Sequence, residues 1–227
     1  MISDQSLSQT VDAVSQALFE GRTIGAAERK RTARWLTARQ GLPGAYGDTF
    51  AGFDHERKAG IVLFTGERIA SASARHILGE ETCRALRLLA VPDAPAQAAL
   101  QRANDGVLGF LERAARDPRN QNPGCYCCGK CTVGLWRNLL SGGVDRREER
   151  LRAGVRKLRA QRDGEGQWRR FPFWYTVLAL HEFELPAARQ ELKYAAPLLE
   201  HAANRKPSAA PYARRRQQLA AAALARL

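Results

Sequence analysis

Cys125, Cys127, Cys128 and Cys131 fall within seven consecutive positions, just after Pro123-Gly124 and just ahead of the apolar run Val133 to Trp136. Thiols this close in sequence converge without help from distant parts of the chain. Thiolates are the ligands of structural or catalytic zinc and of iron–sulfur clusters. Two overlapping Cys-x-x-Cys steps, Cys125 to Cys128 and Cys128 to Cys131, set three sulfurs at a spacing that wraps one ion or one cluster. Cys127 is then a spare or alternative ligand. Gly129 suits a tight turn whose N–H groups face sulfur, since glycine tolerates positive φ. A tetrahedral zinc needs a fourth donor, which Cys127, Cys83 or His181 would supply. An iron–sulfur cluster on the same positions would draw on Cys83, the cysteine outside the turn. The third reading is a set of free thiols packed as small hydrophobes.

Other chemistry-bearing residues are more scattered. His76, Glu80 and Cys83 stand at i, i+4 and i+7, one face of a continuous helix, and would form half of a second or shared site unless Gly79 breaks that helix. Asp48, Asp54 and His55 lie in the glycine-rich stretch 41–66, where catalytic groups often sit, but no nucleophile at diagnostic spacing accompanies them. His181 and Glu182 read as a helix end, where a histidine near the carbonyl groups is favoured.

The elements that must position these residues read as helices. Leu7, Val11, Val14 and Leu18 mark a first amphipathic helix ending at Gly21, and a second runs from Ala26 to Gln40. Glu67 to Leu78 reads as a helix, continued from Glu80 to Ala90 after Gly79. Ala94 to Arg116 is one helix, or two broken near Gly106. Helices from Cys131 to Leu140, Asp145 to Gln161, Phe171 to His181 and Pro186 to Asn204 follow, and Pro207-Ser208 leads into a last segment from Tyr212. Ile61 to Phe64 alone invites a strand, so the expected class is all-α.

At 227 residues the chain is long enough for one helical domain with a sizeable core and no staples. A basic arm over 205–227 is the candidate flexible end. An odd cysteine count and no charged, apolar leader point to a cytoplasmic, reducing setting. No stretch is apolar enough to span a bilayer. A net charge of +13 suggests an acidic partner: nucleic acid, an acidic protein or an anionic small molecule.

Two distant stretches share a plan. Trp35 to Gly41 followed by Gly44-Ala45-Tyr46-Gly47, and Val155 to Gln161 followed by Gly164-Glu165-Gly166-Gln167-Trp168, each give a helix ending in Gln, a glycine turn and an aromatic. The plan resembles the helical repeats of the squalene cyclase and protein prenyltransferase superfamily, whose α/α toroids carry a Gln…Gly-x-Trp repeat. The resemblance implies a partial toroid of helical hairpins with structural roles for Gln40, Tyr46, Gln161 and Trp168. The Asp-x-Asp-Asp motif of the cyclases and the Asp-Asp-x-x-Asp magnesium motif of isoprenoid synthases are absent, as is the Asp-x-Cys zinc pattern of the prenyltransferases around Cys125 to Cys131. If the metal is catalytic, the cavity between inner helices, lined from Phe173 to Leu180, would receive an apolar substrate, and Tyr126 and Lys130 would flank the metal. The alternative function is a basic adaptor with a structural metal that binds nucleic acid or an acidic protein.

Overall fold

The computed structural model describes residues 1–117, 122–206, 208–210 and 212–227, so Pro207 lies outside the described residues. It is all-α apart from one small hairpin. In order, the elements are α1 (Leu7–Phe19), α2 (Ala26–Thr37), α3 (Asp54–Ala59), β1 (Ile61–Val62), β2 (Arg68–Ile69), α4 (Ser73–Leu89), α5 (Ala94–Ala115), α6 (Gly129–Leu140), α7 (Arg147–Arg159), α8 (Phe173–Glu182), α9 (Pro186–Ala203) and α10 (Ala213–Leu224).

The centre is the pair α4 and α6. On α4, Ile77, Leu78, Leu86 and Leu89 are buried at helical spacing, and on α6 Leu135, Trp136 and Leu139 are. The pair runs parallel: Cys128 at the start of α6 meets Ser73 at the start of α4, and Asn138 near the end of α6 meets Arg87 near the end of α4. Arg137 also donates to Glu81, and Asn138 Nδ2 donates to Glu80 Oε2 at 2.5 Å. Gly134 permits the approach, since a Cβ there would press on Glu80 and Ile77. α1, α2 and α5 pack on α4, α7 and α8 pack on α6, and α9 links α8 to α10.

Several sequence expectations change. The helix expected from Glu67 begins only at Ser73, because Arg68 and Ile69 pair antiparallel with Val62 and Ile61. Gly79 does not interrupt α4; it lets the helix pass the Thr49 side chain, which a Cβ would strike. Gly106 does not break α5 either, and serves a close approach to the Gly47 carbonyl. Asp54 and His55 are exposed residues of the short α3.

The two glycine turns are each closed by one antiparallel bridge, Gln40 with Phe50 and Arg162 with Trp168. Trp168 is buried and donates from Nε1 to Glu191 on α9 at 2.9 Å. Residues 213–224 of the basic C-terminal stretch form α10, which buries Leu219, Ala220 and Ala223. Within that stretch, 207 and 211 lie outside the described residues.

Candidate metal centre

The cysteine turn is fixed from two sides. Gly124 lies so close to the backbone of Arg150 and Gly154 that a Cβ would overlap it, and its carbonyl accepts the Trp136 indole N–H at 2.8 Å. Arg150 Nη1 donates to the Pro123 carbonyl at 3.0 Å. After this anchor, the Tyr126 N–H donates to Thr132 Oγ1 at 2.9 Å, which folds the turn onto the start of α6. Gly129 then passes against the Arg170 carbonyl, where no side chain fits. These contacts leave Cys127 and Cys128 exposed at the helix start and Cys131 buried in its first turn.

Facing them is the first turn of α4. His76 Nδ1 stands 3.5 Å from Cys127 Sγ, and the donor atoms of His76, Cys127 and Cys131 all lie within 4.8 Å of one another. Cys128 Sγ sits 3.5 Å from Ser73 Oγ, also on α4. The neighbouring Cys127 and Cys131 thiols hold Cys128 far below the usual thiol range. Reciprocally, the same sulfur pushes Cys127 up to about 11. Bonding to Cys127 and Cys128, with burial added, raises Cys131 strongly. Cys128 stands at the N-terminus of α6, where the helix dipole favours an anion.

Burial pushes His76 down to about 4 against the pull of Cys128, so the imidazole is neutral at pH 7. A neutral imidazole beside a thiolate and two thiols is a donor set suited to a metal ion. An aromatic wall encloses the histidine: the Tyr46 ring centroid is 3.5 Å from that of His76, Tyr126 is at 5.3 Å and Phe110 at 5.9 Å.

The structure brings His76 and Cys127 to Cys131 and Cys128, and leaves the other candidates apart. Cys125 is half-buried toward α7, near Lys157, and burial pushes its thiol up to about 11. Cys83 is fully buried on α4 between Glu80 and Arg87, and burial pushes it up to about 12. His181 closes α8 beside Glu182 and Arg226, on a different part of the molecule. Ser73 and Phe110 carry no sequence signal for a site. Tyr46 could be singled out only as the aromatic of a glycine turn.

Compared with protein-family models, with curated proteins and with solved structures, the chain gives no match to any of the three.

Proposed function

We propose that this protein holds one zinc ion through Cys127, Cys128, Cys131 and His76, and that the ion is structural. The observation that carries the reading is the 3.5 Å between Cys127 Sγ and His76 Nδ1. Two donors on one tetrahedral zinc, with Zn–S near 2.3 Å and Zn–N near 2.0–2.1 Å, stand about 3.6 Å apart. A four-iron, four-sulfur cluster binds each cysteine to a separate iron and needs its donors spread more widely. Four protein donors close the coordination shell, which is the mark of a structural rather than a catalytic zinc. The ion would join the first turns of the parallel helices α4 and α6, whose packing organises the core. Loading it would release the protons that Cys127 and Cys131 hold.

Metal analysis of the purified protein tests this. We expect one zinc per chain, lost in Cys127→Ser, Cys131→Ser and His76→Ala and retained in Cys125→Ser. Cobalt in its place should give the intense visible bands of a tetrahedral thiolate site, weakened in Cys128→Ser. Iron with labile sulfide, or zinc loss in Cys125→Ser, would overturn the assignment.

A further inference from the structure

A second part of the molecule has no role in the metal centre. A cavity of about 450 Å³ lies among α1, α4, α6, α8 and α10, in the size range of small-molecule sites. Leu18, Phe19, Phe64 and Leu178 supply apolar wall, and Arg84, Arg137, His181 and Glu182 supply the polar part. A small cavity that shares Ser15, Phe64 and Arg137 as lining is also bordered by Glu81 and Tyr175.

The polar part is a connected lattice. Glu182 accepts from Arg84 Nη2 at 2.8 Å and from Arg137 Nη2 at 3.0 Å. Arg137 also donates to Glu81, and the Tyr175 hydroxyl donates to the same carboxylate oxygen at 2.5 Å. Arg226 stands behind His181, donating to the His181 and Phe183 carbonyls and, among the described residues, to no carboxylate.

Arg84 and Arg137 are matched by the carboxylates of Glu182 and Glu81. Arg226 adds a third guanidinium behind His181, outside the cavity wall and held by carbonyls. Of the other acids, Glu20 also lines the cavity and pairs with Arg22 at 2.8 Å, and Asp12 pairs with Arg215 at 2.8 Å. Burial, with Arg226 beside it, lowers the pKa of His181, which therefore adds no charge at pH 7. Arg84 is 12% exposed and uses one nitrogen on Glu182, leaving the rest of its planar fork to the cavity it lines. Burial and then Arg137 act against its charged form, a strain that an added anion relieves. His181 Nδ1 is buried with no protein partner.

From this arrangement we infer that the cavity binds a small organic monoanion with an apolar body, a carboxylate whose head pairs with Arg84 while its chain lies along Phe19, Phe64 and Leu178. A carboxylate matches the planar guanidinium fork in two parallel hydrogen bonds. An uncharged ligand of the same shape makes no such charge-assisted pair with Arg84. The inference does not depend on zinc, since Arg84 lies about 12 Å along α4 from His76 at the helix rise of about 1.5 Å per residue.

Calorimetric titration of the zinc-loaded full chain with straight-chain carboxylates from hexanoate to dodecanoate, and with the matching alcohols, tests the site. We expect saturable one-to-one binding of at least one carboxylate and at least tenfold weaker binding of its alcohol. Arg84→Met, which keeps the apolar stem, should weaken carboxylate binding tenfold or more. Ala222→Phe, which fills the cavity from α10, should abolish binding while circular dichroism and zinc content stay unchanged. No saturable binding by any carboxylate, equal binding of the alcohol, or full retention in both variants would overturn the proposal.

Discussion

Glu80 is a carboxylic acid buried in an environment that disfavours its charge. It is 1% exposed, one carboxyl oxygen accepts from Asn138, and the other has no partner. Burial pushes its pKa from 4.5 up to about 7, Asn138 and Arg87 pull it down, and Glu81 adds to the rise. Between those two values the native state binds a proton that the unfolded chain has released. Its contribution to stability is therefore complete below pH 4.5 and lost as pH rises through about 7. Glu80→Gln should remove that loss: at pH 8 its urea midpoint should exceed the wild type's by the equivalent of about 2 kcal/mol, and near pH 4.5 the two should nearly coincide. The same pH dependence in both proteins would refute the assignment. The i, i+4, i+7 spacing of His76, Glu80 and Cys83 was legible as one helix face. Their partners were not, because these depend on which helix packs opposite. His76 meets the cysteine turn, Glu80 meets Asn138, and Cys83 enters the core. Likewise the spacing of the cysteines marks a cluster but favours Cys125 and makes Cys127 a spare, whereas the structure sets Cys127 beside His76 and Cys125 apart. What separates them is the anchoring of Pro123 and Gly124 by Arg150 and Trp136.

Helix boundaries in α1, α2 and α5 through α9 were legible to within a few residues, because apolar periodicity and Gly or Pro punctuation agree there. The stretch between α2 and α4 was not, since its order comes from one long-range acid. Glu56 is 3% exposed and accepts from Ser6 Oγ at 2.8 Å, Leu7 N at 3.2 Å, Ser8 N at 2.8 Å and Phe53 N at 2.8 Å. It satisfies the open N–H groups of α1 from 50 residues away and fixes the start of α3 at the same time. Burial acts to raise its pKa, and the bonds from Ser8, Phe53 and Ser6 outweigh it and hold the group below 4.5. Its stabilisation is therefore present above the unfolded value and is lost as pH falls through the lowered one. Glu56→Ala should cost about 3 kcal/mol at pH 7, for loss of several bonds to a charged acceptor, and the deficit should shrink under acid. The check is a pair of urea curves at pH 7 and pH 3; a deficit equal at both would mean that the carboxylate charge is not what joins α1 to α3.

At the scale of the molecule, the net charge of +13 is partly an interior feature rather than a free basic surface. Arg137 and Arg150 are buried, and Arg84, Arg162 and Arg215 are tied to carboxylates. The C-terminal arginines illustrate the point. Arg215 holds Asp12 through Nη1 and Nη2, both at 2.8 Å, and Arg216 Nε donates to the Thr65 carbonyl at 2.7 Å. These bonds join the last helix to the first helix and to the β1–β2 hairpin, across 203 positions of sequence. Composition could show the surplus of arginine but not its internal use, which depends on contacts between opposite ends of the chain. If α10 is part of one cooperative unit, the Asp12–Arg215 pair should behave as a coupled contact. Asp12→Ala and Arg215→Ala should each lower Tm by a few degrees, with about 1 kcal/mol corresponding to about 2–4 °C in a chain of this size. The double variant should lose less than the sum of the two, by about 1 kcal/mol, because the second substitution removes an interaction already gone. Truncation after Ser208 is the larger perturbation. It strips Leu219, Ala220 and Ala223 from the core and removes the cavity wall at Gln218 and Ala222, so cooperative unfolding should be lost altogether. Strictly additive single variants together with a truncated chain that still unfolds cooperatively would show that α10 is an appendage rather than a member of the fold.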